Sequence, residues 1–440
     1  MKKSIIIVLL LCGVITQAQN KKWTLKECVE YALENNISVK QSELDLLATD
    51  IDKLTAVGSF LPTINVSGSV SKNTGLSFDP TTGNSSTTTF LSSSGSINLG
   101  YNLFDGLQNI RRVQRAEISK MAAEYSLSKM KDDISLFVAN GYITVILNKA
   151  NLEVLISQNA VTQEQIDRTN QLVEAGSLPR GDLLEIQATD ANEKQNIVNA
   201  ENAIQISLIN LAQLLLIKDY ENFDIQDEGY DIVNEGISNK SVSEIIENAK
   251  AERSEIKIAE QNVSLAEKDV QIAKGSYWPS LRAFLGYDTR YTDASEIPFS
   301  DQIYLNDGIG YGLSLNIPIL NGFSVKGNVQ RSKINLERSK YQLEQEELNL
   351  ESTVYQAYVD AKGALKSFEA ANKALESQEL AYDYAKERYD VGLTNAFDFS
   401  QSKQRFDNAK IQLNQAKYDY IFKLKVLELY FGIPATELKF

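Results

Sequence analysis

The chain contains the same series of segments twice, with the second copy about 216 residues after the first. The run Gly-Ser-Phe-Leu-Pro, which ends at Pro62, returns as Gly-Ser-Tyr-Trp-Pro, which ends at Pro279. The run Leu-Phe-Asp-Gly ends at Gly106, and its counterpart Ile-Leu-Asn-Gly ends at Gly322. Solenoid repeats have periods of about 20 to 50 residues, so this duplication predicts two large structural repeats and a connector. Their bounds are 19–218 for the first repeat, 219–240 for the connector and 241–440 for the second repeat.

Each repeat contains a helical segment far longer than a globular core. The segments 106–174 and 322–390 contain no proline, and helices of that length measure roughly 100 Å. A helix this long needs partner helices along its length. Positions spaced by seven, most of them apolar, follow each long segment: Leu183, Asp190, Ile197, Ile204 and Leu211, then Phe399, Phe406, Leu413, Tyr420 and Leu427. A sustained seven-residue repeat predicts helices that supercoil around one another.

Two pairs of strands are predicted between the helices. Residues 96–103 alternate strictly between polar or small residues and apolar ones. Alternation over about ten residues is typical of a membrane β-strand, although a half-buried antiparallel sheet gives the same pattern. Polar segments at 74–89 and 292–307 are predicted to be the loops that join each pair, facing the cell exterior. The predicted strands are about 61–71, 90–104, 279–291 and 309–320.

Four strands cannot close a barrel, because about eight is the usual minimum and open edges are not tolerated in lipid. If these strands span a bilayer, several chains must share one barrel, and three copies give twelve strands. A barrel that continues into helices of roughly 100 Å is a tunnel.

The N-terminus has the features of a secretory signal peptide at 1–18. Lys2 and Lys3 precede an apolar stretch that is too short to span a bilayer comfortably, and cleavage is expected after Ala18. Lipidation at Cys12 is the alternative. It is disfavoured because Leu11 is not the small residue that should precede a lipidated cysteine.

Composition argues against several classes of function. The chain has 44 Lys and Arg against 58 Asp and Glu, a formal net charge of −14 that disfavours nucleic-acid binding. It has no histidine and only two cysteines, which removes the commonest general base and the usual zinc ligands. We therefore expect no enzyme activity, no metal and no cofactor. An enzyme built on carboxylates alone is a remote alternative.

The duplicated helix-strand-strand-helix-helix order resembles the TolC-like outer-membrane efflux protein family. The resemblance rests on the runs that end at Pro62, Pro279, Gly106 and Gly322, and on the turns near Gly176 and Gly392. It implies a Gram-negative homotrimer with a twelve-stranded outer-membrane barrel, four strands per chain, continued by a periplasmic α-helical coiled-coil barrel. The fold class is thus mainly α with a membrane β-barrel part.

The resemblance also implies a function and partners. Such a protein is a passive duct that exports small molecules or protein from the periplasmic end to the outside. Its partners are outer-membrane lipid, a periplasmic adaptor (membrane fusion) protein, and an inner-membrane pump of the RND, ABC or MFS type or a type I secretion transporter. The alternative from the residues alone is a structural or adhesive surface coiled coil.

The turns between the long helix and the next helix have two interpretations. Their glycines serve most simply as helix C-caps, while the resemblance adds docking of the adaptor at the same turns. The expected docking residues are Gly176, Ser177, Leu178 and Pro179 in the first repeat, and Val391, Gly392, Leu393 and Thr394 in the second.

The resemblance further implies a periplasmic gate near the second turn. Asp398 aligns with a ring that narrows the pore, Gln401 with the next ring, and Tyr389 with an aromatic residue that holds the gate closed. Asp182 occupies the equivalent turn of the first repeat. The alternative is that Asp182 and Asp398 are helix N-caps, because each is followed three residues later by Glu185 or Gln401.

Overall fold

The computed structural model describes residues 22–78, 83–227, 229 and 240–433. The signal peptide, its cleavage site and the question of lipidation at Cys12 lie outside these residues. The chain divides into two compact units. A helical unit comprises the described residues up to Leu44, together with Tyr125–Lys257 and those from Gln345 onward; a sheet unit comprises Asp45–Glu124 and Ile258–Glu344.

The described elements follow one another in the order that the duplication predicts. They are β1 (Lys22–Trp23), α1 (Leu25–Asn35), α2 (Ile37–Gly58), β2 (Thr63–Phe78), β3 (Ser85–Phe104), α3 (Gln108–Glu174), α4 (Arg180–Leu214), β4 (Asp224–Ile225), α5 (Val242–Glu252), α6 (Ser254–Gly275), β5 (Ser280–Thr292), α7 (Phe299–Leu305), β6 (Gly308–Asn316), α8 (Ser324–Asp390) and α9 (Ala396–Tyr430).

Corresponding helices of the two repeats have identical lengths. The long helices α3 and α8 each have 67 residues, and α4 and α9 each have 35. The helices that precede the strands also match, with 11 residues in α1 and α5 and 22 in α2 and α6. The predicted duplication is therefore present in the structure, and the long helices begin two residues after their predicted starts. Among the described residues, no helix combines the length and apolar character needed to cross a membrane.

The sheet unit contains a four-stranded sheet in the order β2-β3-β5-β6, with every neighbouring pair antiparallel. Pro62 and Pro279 precede β2 and β5, as expected for a residue that cannot continue a helix. The two faces of the sheet differ in chemistry. One face is apolar and carries Ile64, Val66, Ile97, Leu99, Leu285, Tyr287 and Leu313. The opposite face carries Ser67, Ser69, Ser71, Ser92, Ser94, Ser96 and Asn98.

The predicted loop at 74–89 is wrong for most of its length. Strands β2 and β3 continue through it, and Thr74 pairs with Thr89 both in register and through their hydroxyls at 2.9 Å. The Ser/Thr composition indicated a loop, but threonine fits a pleated strand and hydroxyl pairs stabilise neighbouring strands. The second predicted loop, 292–307, contains the short helix α7. Strand β6 ends at Asn316 rather than near 320, before Pro318, which has no N–H to donate.

The helical unit is built around the middle of α3. Tyr142, Val145 and Ile146 are fully buried and belong to a core that also takes in α1 and the end of α4. Strands β1 and β4 form a small parallel sheet beside this core. The Tyr142 hydroxyl lies 3.1 Å from the carbonyl of Trp23 in β1 and also contacts the carbonyl of Gln226, which belongs to the connector. The described part of the connector is thus fixed to the long helix, a contact that the sequence did not indicate.

Asp224 in β4 strengthens this attachment. Its carboxylate accepts hydrogen bonds from the ammonium groups of Lys149 and Lys22. Burial alone would raise the pKa of Asp224, but the two lysines outweigh burial and lower it. The stabilisation is therefore present above the ordinary carboxyl pKa and is lost as pH falls through the lowered value.

Gly106 makes the turn between β3 and α3 possible. Its φ is +71°, and a Cβ at this position would lie 2.2 Å from the carbonyl oxygen of Gly275. Leu107 and Phe323 also have positive φ, at 66° and 63°, so both strand-to-helix turns use two left-handed residues in succession. The left-handed backbone here favours glycine, and the close approach of Gly275 excludes a side chain.

We predict that Gly106→Ala destabilises the protein by roughly 2 kcal/mol or more, because it adds a steric clash to a strained backbone. The matched control is Gly327→Ala in α8, where a Cβ meets nothing within 4 Å. The control should be neutral or stabilising by up to about 1 kcal/mol, since alanine is the better helix former. Denaturant unfolding followed by circular dichroism measures both, and equal stability of the two variants would contradict this account of the turn.

Candidate functional site: the helix tips

The two helix tips, residues 175–179 between α3 and α4 and residues 391–395 between α8 and α9, have the same backbone. Gly176 and Gly392 have φ of +72° and +76°. The amide of Gly176 donates to the Val173 carbonyl at 3.0 Å, and that of Ser177 to the Leu172 carbonyl at 2.8 Å. Equivalent bonds join Gly392 to Tyr389 and Leu393 to Arg388. Both tips are therefore Schellman C-caps, which confirms the predicted structural role of the two glycines.

The second tip exposes more apolar surface than the first. Val391 and Leu393 are 69% and 70% exposed, and Phe397 in the first turn of α9 is 58% exposed. In the first tip Leu178 is half-buried, while Ser177 and Pro179 are exposed. Large exposed apolar side chains in one turn are typical of a surface that contacts another molecule.

The prediction that Asp398 is an N-cap is wrong. The N-cap of α9 is Asn395, whose side-chain oxygen accepts from the Asp398 amide at 2.8 Å. Asp398 is thus the third residue of the helix, where a carboxylate interacts favourably with the helix dipole. Its own carboxylate accepts a hydrogen bond from the Thr394 hydroxyl at 3.4 Å and is exposed.

Asp182 is not an N-cap either. The N-cap of α4 is Pro179, which has no side-chain hydrogen bond, and the Asp182 amide donates to the Pro179 carbonyl at 3.1 Å. Asp182 lies half-buried in the first turn of α4. The Asp-x-x-Glu and Asp-x-x-Gln patterns therefore predicted the wrong N-cap in both repeats. In each repeat the helix begins before the aspartate.

Tyr389 ties the end of α8 to α3. The Tyr389 hydroxyl and the hydroxyl of Thr169, which is fully buried, are 2.9 Å apart. The Tyr389 ring stacks on Phe399 with centroids 5.0 Å apart. One residue along, the Asp390 carboxylate accepts from the Arg168 guanidinium at 2.6 Å. Thr169 and Arg168 were missed by the sequence analysis, since no local pattern pairs residues of α3 with residues of α8.

Gln401 lies exposed one turn after Asp398, and its side-chain oxygen accepts from Arg405 at 2.6 Å. Of the four residues predicted for the gate, two are therefore exposed on α9, Tyr389 is buried, and Asp182 is half-buried on α4. Asp398 and Gln401 share one region of α9, while Tyr389 contacts the buried side of the same helix through Phe399.

A buried polar network joins α4 to α9 above the tips. The Lys403 ammonium contacts Glu193 at 2.7 Å and Asp407 at 3.2 Å. Burial raises the pKa of Asp407, although Lys403 opposes the rise. A cavity of about 540 Å³ lies beside the network and is lined in part by Gln158, whose buried amide nitrogen has no hydrogen-bond partner. Breaking one partner of such a buried network is costly, so the network specifies how these helices pair.

Comparison with known proteins places this geometry in one family. The family model described as "Outer membrane efflux protein" matches residues 28–215 and 245–432, one stretch in each repeat. The outer membrane protein TolC of Vibrio cholerae is 23% identical over 321 residues, covering 71% of this chain and 70% of that protein. Protein CyaE of Bordetella pertussis is 21% identical over 391 residues, covering 88% of this chain and 79% of that protein.

Solved structures show the same fold. The CmeC outer membrane channel of Campylobacter jejuni matches with a TM-score of 0.78 and 17% identity, over 95% of this chain and 86% of that chain. The outer membrane protein VceC of Vibrio cholerae matches with a TM-score of 0.77 and 16% identity, over 93% of this chain and 96% of that chain. These likenesses support the fold predicted from the duplication.

Proposed function

Because this chain belongs to the outer membrane efflux protein family and is an outer-membrane channel-tunnel for efflux or secretion, we propose that three copies form its conducting unit. The observation that carries the proposal is the sheet with one apolar face and one hydroxyl face, ending in the edge strands β2 and β6. Strand β6 of one copy pairs with β2 of the next, and twelve strands close the barrel. The apolar face meets lipid and the hydroxyl face lines the lumen.

Exposed apolar stripes on two helices support the same assembly. On α2, Leu47, Ile51 and Leu54 are 58%, 62% and 67% exposed at a spacing of four and three residues. On α8, Ile334 and Tyr341 are 62% and 69% exposed at a spacing of seven. Such a/d-type spacing is that of a coiled-coil seam, so a neighbouring copy covers these stripes in the trimer.

The duct is passive, and an inner-membrane transporter supplies the energy. The partners are a periplasmic adaptor protein and a pump of the RND, ABC or MFS type or a type I secretion transporter. The chain passes small molecules or protein from its periplasmic end to the outside. The chain is an outer-membrane protein with a periplasmic extension, and we propose that its signal peptide is cleaved after Ala18, without lipidation at Cys12.

The tips bind the adaptor. The docking residues are Gly176, Ser177, Leu178, Pro179, Val391, Gly392, Leu393 and Thr394. The second tip is the stronger contact, because Val391 and Leu393 present apolar side chains to solvent. The glycines set the backbone of each turn, and the exposed side chains make the contact.

The gate lies beside the second tip. Copies of Asp398 meet around the pore axis, with Gln401 one turn further and Asp182 on the neighbouring helix. Tyr389 holds the gate through its bond to Thr169, and the Arg168–Asp390 ion pair reinforces that link. A ring of carboxylates attracts cations and repels anions.

We predict that Leu393→Asp abolishes export of the transported solute, because a charge replaces an apolar docking side chain. Trimer level and conductance in purified form should stay unchanged, since Leu393 is 70% exposed. The matched control is Val198→Asp on α4, which is 54% exposed and outside both tips. Export by whole cells measures the effect, and normal export by Leu393→Asp would remove this residue from the docking surface.

We predict that the purified protein conducts ions in a planar bilayer and that Asp398→Asn weakens block by hexaamminecobalt(III). The blocking concentration should rise roughly tenfold, because three carboxylates leave the ring. The control Glu30→Gln removes an exposed charge from α1 and should not change block.

Equal block in Asp398→Asn and wild type would show that Asp398 does not line a constriction. Absence of any conductance would contradict the duct itself and would favour a structural coiled coil.

A further inference from the structure

The hydroxyl face of the sheet is a ladder of paired serines. Ser67 and Ser96 place their Oγ atoms 2.7 Å apart, Ser69 and Ser94 2.9 Å apart, and Ser71 and Ser92 2.8 Å apart. In each pair one hydroxyl donates to the other across the strands. Serine side chains carry no charge, so this part of the face offers neither a strong anion site nor a strong cation site.

Two large side chains on the same face occupy the space above glycines of neighbouring strands. A Cβ built on Gly100 would be 2.2 Å from Nη2 of Arg282, so the guanidinium occupies the space that a side chain at Gly100 would fill. In the same way, Phe284 covers Gly312, whose Cβ would lie 3.1 Å from the phenyl Cζ. Both glycines allow a large residue to lie against the wall instead of projecting away from it.

Among the described strands, Arg282 is the one charged residue on the hydroxyl face without an oppositely charged partner. Asp288 and Arg290 also lie on this face, but they pair with each other at 3.8 Å. No carboxylate of the described residues forms an ion pair with Arg282. The remaining charge of these strands, Lys72, stands at an alternating position on the apolar face, opposite Leu91.

We propose that Arg282 is a specificity-determining residue that makes the passage through the sheet favour anionic solutes; this rests on the proposed trimeric duct. Each copy contributes one guanidinium, which carries a positive charge and five N–H donors. Three such charges in a wall of neutral hydroxyls raise the local concentration of anions. Because each guanidinium occupies the space that a Cβ at Gly100 would fill, it lies close to the wall, and the ring adds positive potential with little narrowing of the path. The solutes favoured at the sheet are therefore small anions and anionic organic molecules, while the proposed Asp398 ring acts on charge separately, beside the second tip.

The test compares full-length trimers in planar bilayers under a KCl gradient. Reversal potentials give the ratio of chloride to potassium permeability. Arg282→Gln should lower this ratio about threefold at low salt and less at high salt, because three screened charges are removed. Arg282→Lys should keep it near the wild-type value. Lys72→Gln is the matched control, since it removes the same charge from the other face.

A second readout uses hexacyanoferrate(II), a multivalent anion, added on the side of the β2–β3 hairpin. It should block wild type and Lys72→Gln at similar concentrations and block Arg282→Gln only at several-fold higher ones. A conducting Arg282→Gln protein whose permeability ratio and block equal those of Lys72→Gln would overturn the inference and leave the duct intact. Absence of conductance in wild type would overturn the duct and the inference together.

Discussion

The backbone hydrogen bonds at the two edges of the sheet are the constraint on which the rest of the structure depends. Among the described residues, strands β2 and β6 each have a neighbouring strand on one side only. In lipid, no water can form hydrogen bonds with the free N–H and C=O groups of these two edges. Each unpaired group then costs on the order of several kcal/mol. A second pairing for each edge is therefore required. In the proposed trimer, closure by three copies supplies this pairing and arranges the helices that leave the strands around one axis.

The duplication supplies the same local contacts twice with different residues. Asn36 ends α1, and its side-chain amide donates to the Leu214 carbonyl at 3.1 Å. Its counterpart Arg253 ends α5, is only 5% exposed, and stacks on Tyr430, the residue equivalent to Leu214. Arg253 also pairs with Glu255 at 2.9 Å. The backbone plan has been retained in both repeats, while the chemistry of this contact has diverged from an amide to an ion pair.

The sequence predicted the features that depend on local pattern. Proline-free segments predicted the long helices to within two residues, and Pro62 and Pro279 marked the strand starts. Alternation predicted which strand residues share a face, and the observed register confirms it. The tip glycines were predicted as C-caps, and both have the left-handed backbone that this role requires.

The features that the sequence did not predict depend on contacts between distant residues or on competing local signals. Lys403 and Glu193 are 210 positions apart, and nothing in either helix marks their pairing. Asn395 and Asp398 are both good caps, and only the observed start of α9 distinguishes them. The Ser- and Thr-rich segment of the first hairpin is compatible with either a loop or a strand. It forms strands because its residues pair across the sheet. The roles of Asp398, Gln401, Tyr389 and Asp182 as a gate stay a prediction.

Disulfide trapping between the edge strands tests the shared barrel most directly. One cysteine replaces Ser69 in β2, and a second is moved along β6 from Gly308 to Asn316, while buried Cys28 stays unchanged. In outer membranes, at least one β6 position should give a covalent species of three chains that disappears with reductant. The Ser69→Cys chain alone should give none. Absence of cross-linked chains at every β6 position, or a ladder that continues beyond three chains, would contradict closure of the barrel by three copies.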